Sequence, residues 1–194
     1  MRPPVGLVLA AGAGRRFGGP KAELVIAGER LVDRAVGILR DGGVEDVIVI
    51  TNSTDLDVPS ARQVLVNEAA MTGMGSSLRS GLLAADHLGA GAAVILLVDQ
   101  PLVAPEAVSL LVAAADGPGC LVQASYGGRR GHPVLIGSAH FAAVADGAEG
   151  DEGARRYLER AHRSGRLAIV ETPGDPRDID TPDDAMAIEL LLSR

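Results

Sequence analysis

Residues 5–21, VGLVLAAGAGRRFGGPK, constrain this chain more than any other stretch. An apolar strand runs directly into a loop that holds Gly12, Gly14, Gly18 and Gly19 and ends at Lys21. A backbone so free of side chains can turn tightly and close its N–H groups around an anion. Arg15, Arg16 and Lys21 concentrate positive charge in this loop, on a chain whose formal net charge is −7. A basic cluster on an acidic chain points to a phosphate-bearing small molecule. It argues against nucleic acid, which usually needs a broad basic face.

Spacing separates the familiar glycine loops. A Walker A loop needs G-x-x-x-x-G-K-[ST], its hydroxyl serving a magnesium ion. Here Pro20 intrudes before Lys21, and Ala22 stands where the hydroxyl belongs. A dinucleotide fingerprint needs G-x-G-x-x-G and a carboxylate at the tip of the second strand. Gly12 and Gly14 fit, but Gly18 falls one place late, and the second apolar run ends in Thr51 and Asn52. Both patterns match poorly, yet an NAD(P)-dependent oxidoreductase using this loop stays open as a rival, as does a catalytically silent binding protein.

The rest of the chain alternates apolar runs with amphipathic segments, the pattern of an α/β fold with a mostly parallel sheet. Strands are expected at 5–10, 47–50, 63–66, 92–98, 120–124, 134–136 and 167–171. Leu31, Val32, Ala35, Val36 and Leu39 recur at helical spacing, and Gly42 and Gly43 end that helix. Further helices are expected at 76–88, from Pro105, at 138–145, at 151–162 and at 182–192. Residues 126–133 read as a loop, and roughly 125–165 as a cap over the carboxyl ends of the sheet. The 194 residues suit one domain, 1–194. With 47% apolar residues but only 2% aromatic, its core must be aliphatic, which suits a buried sheet. The single Cys120 excludes an intrachain disulfide and reads as a small buried residue. Residues 2–14 imitate a secretory leader, but the apolar run is short and already carries the glycine loop. No segment approaches the ~18 apolar residues of a membrane span. A cytoplasmic location, away from membrane and nucleic acid, is the expectation.

Two acidic positions stand out. Asp99, in VDQP, lies at the carboxyl end of the most apolar run, where open α/β sheets place ligands. Asp180, in DIDTPDD, precedes Thr181 and Pro182, which also suit an ordinary helix start. Mg²⁺ is commonly held by one or two carboxylates plus phosphate oxygens, so Asp99 is a candidate metal ligand, and 178–184 offers Asp180 and Asp178 as candidates for a second.

The segment 9–21, LAAGAGRRFGGPK, resembles the L-A-A-G-x-[GS]-x-R-[MF]-G-x-x-K signature of the MobA-like nucleotidyltransferase superfamily. That resemblance implies a single-domain, Rossmann-like three-layer sandwich of the nucleotide-diphospho-sugar transferase type. It implies that Leu9, Ala10, Ala11, Gly12, Ala13, Gly14 and Arg15 wrap a nucleoside triphosphate, while Arg16 and Lys21 act in catalysis by neutralising its phosphates. Asn67, Gly73, Ser77 and Gly81 fit the family's N-x₅-G-x₃-S-x₃-G pattern, which reads the nucleobase. Met71 and Met74 could wall that site or simply pack in the core. Asp99 and Asp180 match the family's metal aspartates.

GHPVL at 131–135 and GDEGAR at 150–155 resemble the molybdenum-cofactor cytidylyltransferase branch. By that likeness Gly131, His132, Pro133, Asp151 and Arg155 bind the acceptor, and Arg129 and Arg130 meet a pterin phosphate. Asp151 and Arg155 could equally form a helical i,i+4 ion pair. The implied reaction is Mg²⁺-dependent transfer of CMP from CTP to a molybdopterin-type cofactor, with hand-over to a molybdoenzyme or its chaperone. Guanylyl transfer and isoprenoid or sugar phosphate acceptors stay open.

Overall fold

Alternation within the apolar runs decides the layering. In β1 (Pro4–Leu9), Val8 packs into one core while Leu7 and Leu9 pack into another. β4 (Val47–Thr51) and β6 (Ala92–Leu97) divide in the same way: Val49 and Leu96 face the first core, Ile50 and Ile95 the second. Successive strand residues point to opposite faces, so a strand that is apolar throughout must be covered on both. Helices α1 (Leu31–Asp41), α3 (Pro105–Ala113) and α6 (Pro182–Leu192) close the first core through Leu39, Leu111 and Ile188. Helices α2 (Met74–His87), α4 (Phe141–Gly147) and α5 (Arg155–Arg163) close the second through Leu82, Val144 and Leu158. The result is the expected three-layer sandwich. The structure, a computed structural model, describes residues 2–12, 14 and 17–193.

The remaining strands are β5 (Gln63–Val66), β7 (Leu121–Tyr126), β8 (Arg129–Gly137) and β9 (Ala168–Glu171), which complete a seven-stranded sheet of order β5-β4-β1-β6-β8-β7-β9. Only β8 runs against the others in this sheet. A separate ribbon pairs β2 (Val25–Ile26) with β3 (Glu29–Arg30), too short to announce itself by periodicity. From β1 the chain passes outward to β4 and β5, then returns to the opposite side of β1 to form β6. Leu9 and Leu97 end up side by side at this reversal of strand order. In open α/β sheets a crevice opens there, at the carboxyl ends of the strands.

Three expectations need correction. Residues 126–133 are not a loop: β7 and β8 form an antiparallel hairpin that turns through Gly127 and Gly128, at φ 58° and 80°. The hairpin was hidden because its outer end, RRGHP, faces a polar cavity and loses the apolar signal of a strand. Nor is there one helix over 151–162. Gly150–Glu152 form a single 3₁₀ turn, Gly153 turns the chain at φ 50°, and α5 begins only at Arg155. Asp151 and Arg155 therefore share no helix face. Residues 125–165 are mostly sheet and second helical layer rather than a cap. Cys120 is buried, as anticipated.

Candidate active site

The glycine loop rolls up at the end of β1. The N–H of Ala10 donates to the Ile50 carbonyl at 2.8 Å, and the chain then leaves the sheet. The Gly14 carbonyl accepts from the N–H groups of Phe17, Gly18 and Gly19 at 3.0, 2.9 and 3.2 Å. Gly14 has φ 55°, and a β-carbon there would lie 1.8 Å from the Gly19 oxygen, so only glycine fits. The curl brings Lys21 back over the sheet. Ala13, Arg15 and Arg16, all assigned to nucleotide or catalysis from the sequence, lie outside the described residues.

The Lys21 ammonium donates to Asp99 Oδ2 and Asp180 Oδ1, each at 2.9 Å. Its side chain is only 11% exposed. Burial pulls the Lys21 pKa down, but the hydrogen bonds to the two aspartates outweigh it and the net shift is upward. Lys21 is therefore a cation at any physiological pH. Asp99 lies two residues past Leu97, the last residue of β6, and lines the crevice. Asp180 arrives on a strap from the far end of the chain, which is sewn to the loop after β6. The N–H of Asp175 donates to Leu102 O at 3.0 Å and that of Ile179 to Asp99 O at 2.9 Å. The Gln100 amide donates to Pro176 O at 3.0 Å and to Asp178 Oδ1 at 2.6 Å. Crowding by protein, with Asp99 and Asp180 nearby, raises the Asp178 pKa. Thr181 caps α6 in a full capping box with Asp184, which fixes the direction of the strap after Asp180.

The opposite wall is the start of α2. Asn67 is buried, and its amide donates to Ser76 Oγ at 2.9 Å and Ser77 Oγ at 3.0 Å. Its carbonyl oxygen accepts from the Ala69 N–H at 3.1 Å. The Asn67 side chain thus acts within the protein, pinning loop 67–73 onto the helix. Arg79 on α2 donates to Ala145 O at 2.9 Å and Ala148 O at 3.2 Å, drawing the last turn of α4 and the residue after it onto the same helix.

Two adjoining cavities result. The first, of about 440 Å³, is lined by Ala11, Gly12, Gly14, Lys21, Gly73, Ser77 and Asp99, together with the exposed Met71. The second, of about 1160 Å³, is lined by Gly131, His132, Arg155, Arg129 and Arg130. Leu9, Met74, Leu97 and Asp151 border both. Most of the residues picked from sequence are therefore gathered around one crevice. Ala10 and Pro133 are instead buried behind it, and Asn67 supports it from within.

The second cavity is polar in a particular way. Desolvation pushes the His132 pKa down to about 4, against an opposing pull from Asp99, so its ring is neutral at pH 7. Tyr126 donates to the His132 carbonyl at 2.7 Å. Gln100, Gln123, Tyr126 and Arg177 line this cavity and were missed from sequence. Gln100 sits inside VDQP and Arg177 just before DID, so proximity to the aspartates was the available signal. Gln123 and Tyr126 lie on a strand and carried none.

The chain belongs to the MobA-like NTP transferase domain family, a nucleotidyltransferase class, with residues 6–165 matching it. It is 33% identical to the nicotine blue oxidoreductase of Paenarthrobacter nicotinovorans, the match covering 91% of each chain. It is also 33% identical to the purine catabolism protein PucB of Bacillus subtilis over 100% of both. A probable molybdenum cofactor guanylyltransferase of Opitutus terrae is 28% identical, covering 89% of this chain and 86% of that one. Among solved structures, the Mycobacterium sp. strain JC1 homologue of Rv0371c superimposes with a TM-score of 0.82 at 29% identity, covering 98% and 97% of the two chains. The Mycobacterium tuberculosis Rv0371c protein in complex with manganese gives 0.74 at 25% identity, covering 97% and 98%.

Proposed function

We propose that this protein transfers CMP from CTP to the phosphate of a molybdopterin-type acceptor and releases pyrophosphate. The observation that carries the reading is the meeting of Lys21 with Asp99 and Asp180, at 2.9 Å each, beside two adjoining cavities. A triphosphate in the first cavity would lie along the glycine loop, with its nucleobase toward Met71, Gly73 and Ser77. Lys21, joined by Arg16, would neutralise charge gathering on the departing pyrophosphate. The acceptor would lie in the second cavity, its phosphate oxygen attacking the α-phosphorus as the bond to the leaving oxygen breaks. Such transfer needs positioning and charge neutralisation more than a protein nucleophile.

Asp99 and Asp180 suit a hard divalent ion. Both present carboxylate oxygens to one cationic point, and Mg²⁺ needs no more from protein when phosphate and water complete its shell. Among the described residues no group of three or more His, Cys, Asp or Glu could hold a metal ion, so phosphate and water would have to complete the shell of an ion on Asp99 and Asp180. When bound there, Mg²⁺ would polarise the α-phosphate. The manganese complex of the Mycobacterium tuberculosis relative supports a divalent ion in this family, and the relative named as a molybdenum cofactor guanylyltransferase supports the acceptor class. Hand-over of the product to a molybdoenzyme or its chaperone belongs to the same proposal, as does a cytoplasmic setting. Among the described residues no helix is long and apolar enough to cross a membrane.

One relative is named an oxidoreductase, so a nicotinamide-dependent reading is the competitor. It meets an obstacle at β4, which ends in Thr51 followed by Asn52 where a ribose-binding carboxylate is needed. Thermal stabilisation by CTP, GTP, ATP and NAD(P)H, each with and without Mg²⁺, separates the two. Metal-dependent stabilisation by CTP, with pyrophosphate release on adding a molybdopterin-type acceptor, is expected. Stabilisation by NAD(P)H alone would replace this reading with the competitor.

A further inference from the structure

Lys21 occupies the place from which a divalent ion would hold the two aspartates. We propose that Lys21 is a tethered counter-cation that offsets part of the charge of the Asp99–Asp180 pair until a triphosphate arrives, so that a divalent ion binds more weakly without nucleotide than with it. The proposal rests on the reading above, in which these two carboxylates are the metal ligands.

The geometry is simple. Lys21 Nζ lies 2.9 Å from one oxygen of each carboxylate. An Mg²⁺ ion ligates carboxylate oxygen at about 2.1 Å, so an ion on either oxygen would sit within about 5 Å of the ammonium. Two cations that close repel, and the effect is strong where water is partly excluded. The ammonium side chain is 11% exposed and that of Asp99 23%, against 48% for Asp180, so solvent screens the Asp99 side of this locus least.

A bound triphosphate changes the balance. Its oxygens bring negative charge to the first cavity, which Lys21 itself lines. A lysine head on a flexible four-carbon stem can turn from carboxylate to phosphate without moving the backbone. The Lys21 backbone meanwhile stays fixed, its carbonyl accepting from the Leu24 N–H at 3.1 Å. Once the ammonium faces phosphate, the aspartates can take the ion that accompanies the nucleotide. Metal and triphosphate would then bind with positive coupling, which is reciprocal.

The test is Mn²⁺ binding followed by electron paramagnetic resonance on the full chain, without nucleotide. Lys21→Met and Lys21→Gln, checked for folding by circular dichroism, should bind Mn²⁺ about tenfold more tightly than wild type. Adding CTP should tighten Mn²⁺ binding far more in wild type than in either variant. Variants that bind Mn²⁺ no more tightly than wild type would overturn the proposal. Should neither variant fold, ¹⁵N-lysine spectra of the wild type decide: the Lys21 Nζ signal should ignore Mg²⁺ alone and shift with Mg²⁺ plus CTP. A shift with Mg²⁺ alone at the same concentration would overturn it equally. If wild type with CTP binds Mn²⁺ and only the comparison with the variants fails, the counter-cation role falls and the metal site stands. If no form binds Mn²⁺ with or without CTP, both fall.

Discussion

Gly73 meets Gly150 backbone against backbone, so closely that a β-carbon on Gly73 would lie 2.3 Å from the Gly150 carbonyl carbon. Gly73 has φ 116°, a conformation that side chains rarely adopt, and it opens α2 at the edge of the first cavity. Gly75, the second residue of α2, is nearly as close to the backbone at Ala148, 2.7 Å from a β-carbon built there. These two glycines let the segment carrying Asp151 reach the wall between the cavities. Gly73→Ala therefore meets both backbone strain and overpacking, each worth roughly 1–3 kcal/mol. The expected result is a lower denaturant midpoint and weaker nucleotide stabilisation in the same variant. A midpoint equal to wild type would show that the two segments part without cost.

Gln100 ties the strap to the loop after β6. Its amide is the donor to both Pro176 O and Asp178 Oδ1, and the residue is 6% exposed. Gln100→Ala removes two hydrogen bonds, one to a charged acceptor, and leaves the Pro176 carbonyl seeking a partner. A loss of about 2 kcal/mol in unfolding free energy is expected. Turnover should fall as well, because Asp180 hangs from the same strap. Gln100→Glu, which puts a carboxylate against Asp178 at neutral pH, should be worse than alanine when both are measured by chemical denaturation.

Asp99→Asn keeps shape and an oxygen that can accept from Lys21 but removes the charge. Stability should change by about 1 kcal/mol, since the neutral oxygen replaces an ionic acceptor in a partly buried pair. Turnover should drop roughly 10²-fold or more if this carboxylate holds the ion that stabilises the transferring phosphate. Steady-state pyrophosphate release alongside a melting curve separates the two effects. Activity near wild type with unchanged Mg²⁺ dependence would remove Asp99 from the metal site.

How much of this was legible beforehand varied with the kind of signal. The strand buried on both faces announced itself, the expected 92–98 becoming β6 (Ala92–Leu97), and the expected 63–66 became the half-exposed edge strand β5 (Gln63–Val66) without adjustment. The expected helix 182–192 fell on α6 (Pro182–Leu192), because a capping threonine and a proline mark its start. Asp99 was legible as the charge at the end of an apolar run. The β7–β8 hairpin was not, since half of it faces a polar cavity and reads as loop. Nor was the short helical turn at Gly150–Glu152, whose charges imitate the start of α5. Gln123 could not be found by pattern at all, and Gln100 and Arg177 only by their proximity to the aspartates in the sequence. Their importance comes from tertiary neighbours that sequence spacing does not encode.

His132 supplies a prediction whose sign can be worked through. Its pKa in the folded protein is lowered by desolvation to about 4, whereas an unfolded histidine titrates near 6.5. Between those values the unfolded chain binds the proton and the folded one does not. The stabilising contribution is therefore complete above about pH 6.5 and is lost as pH falls toward 4. From pH 7.5 to pH 5 this linkage removes about 2 kcal/mol. Asp178, whose pKa is raised, works in the opposite direction, and Asp184, whose pKa is lowered by Thr181, adds to the loss as pH falls. The measurement that isolates His132 is thus a comparison with His132→Gln, which fills similar space without a titrating group. Urea unfolding at pH 7.5 and pH 5 should show wild type losing about 2 kcal/mol more than the variant. Equal losses in the two proteins would mean that His132 titrates normally, with solvent reaching its ring at the floor of the second cavity.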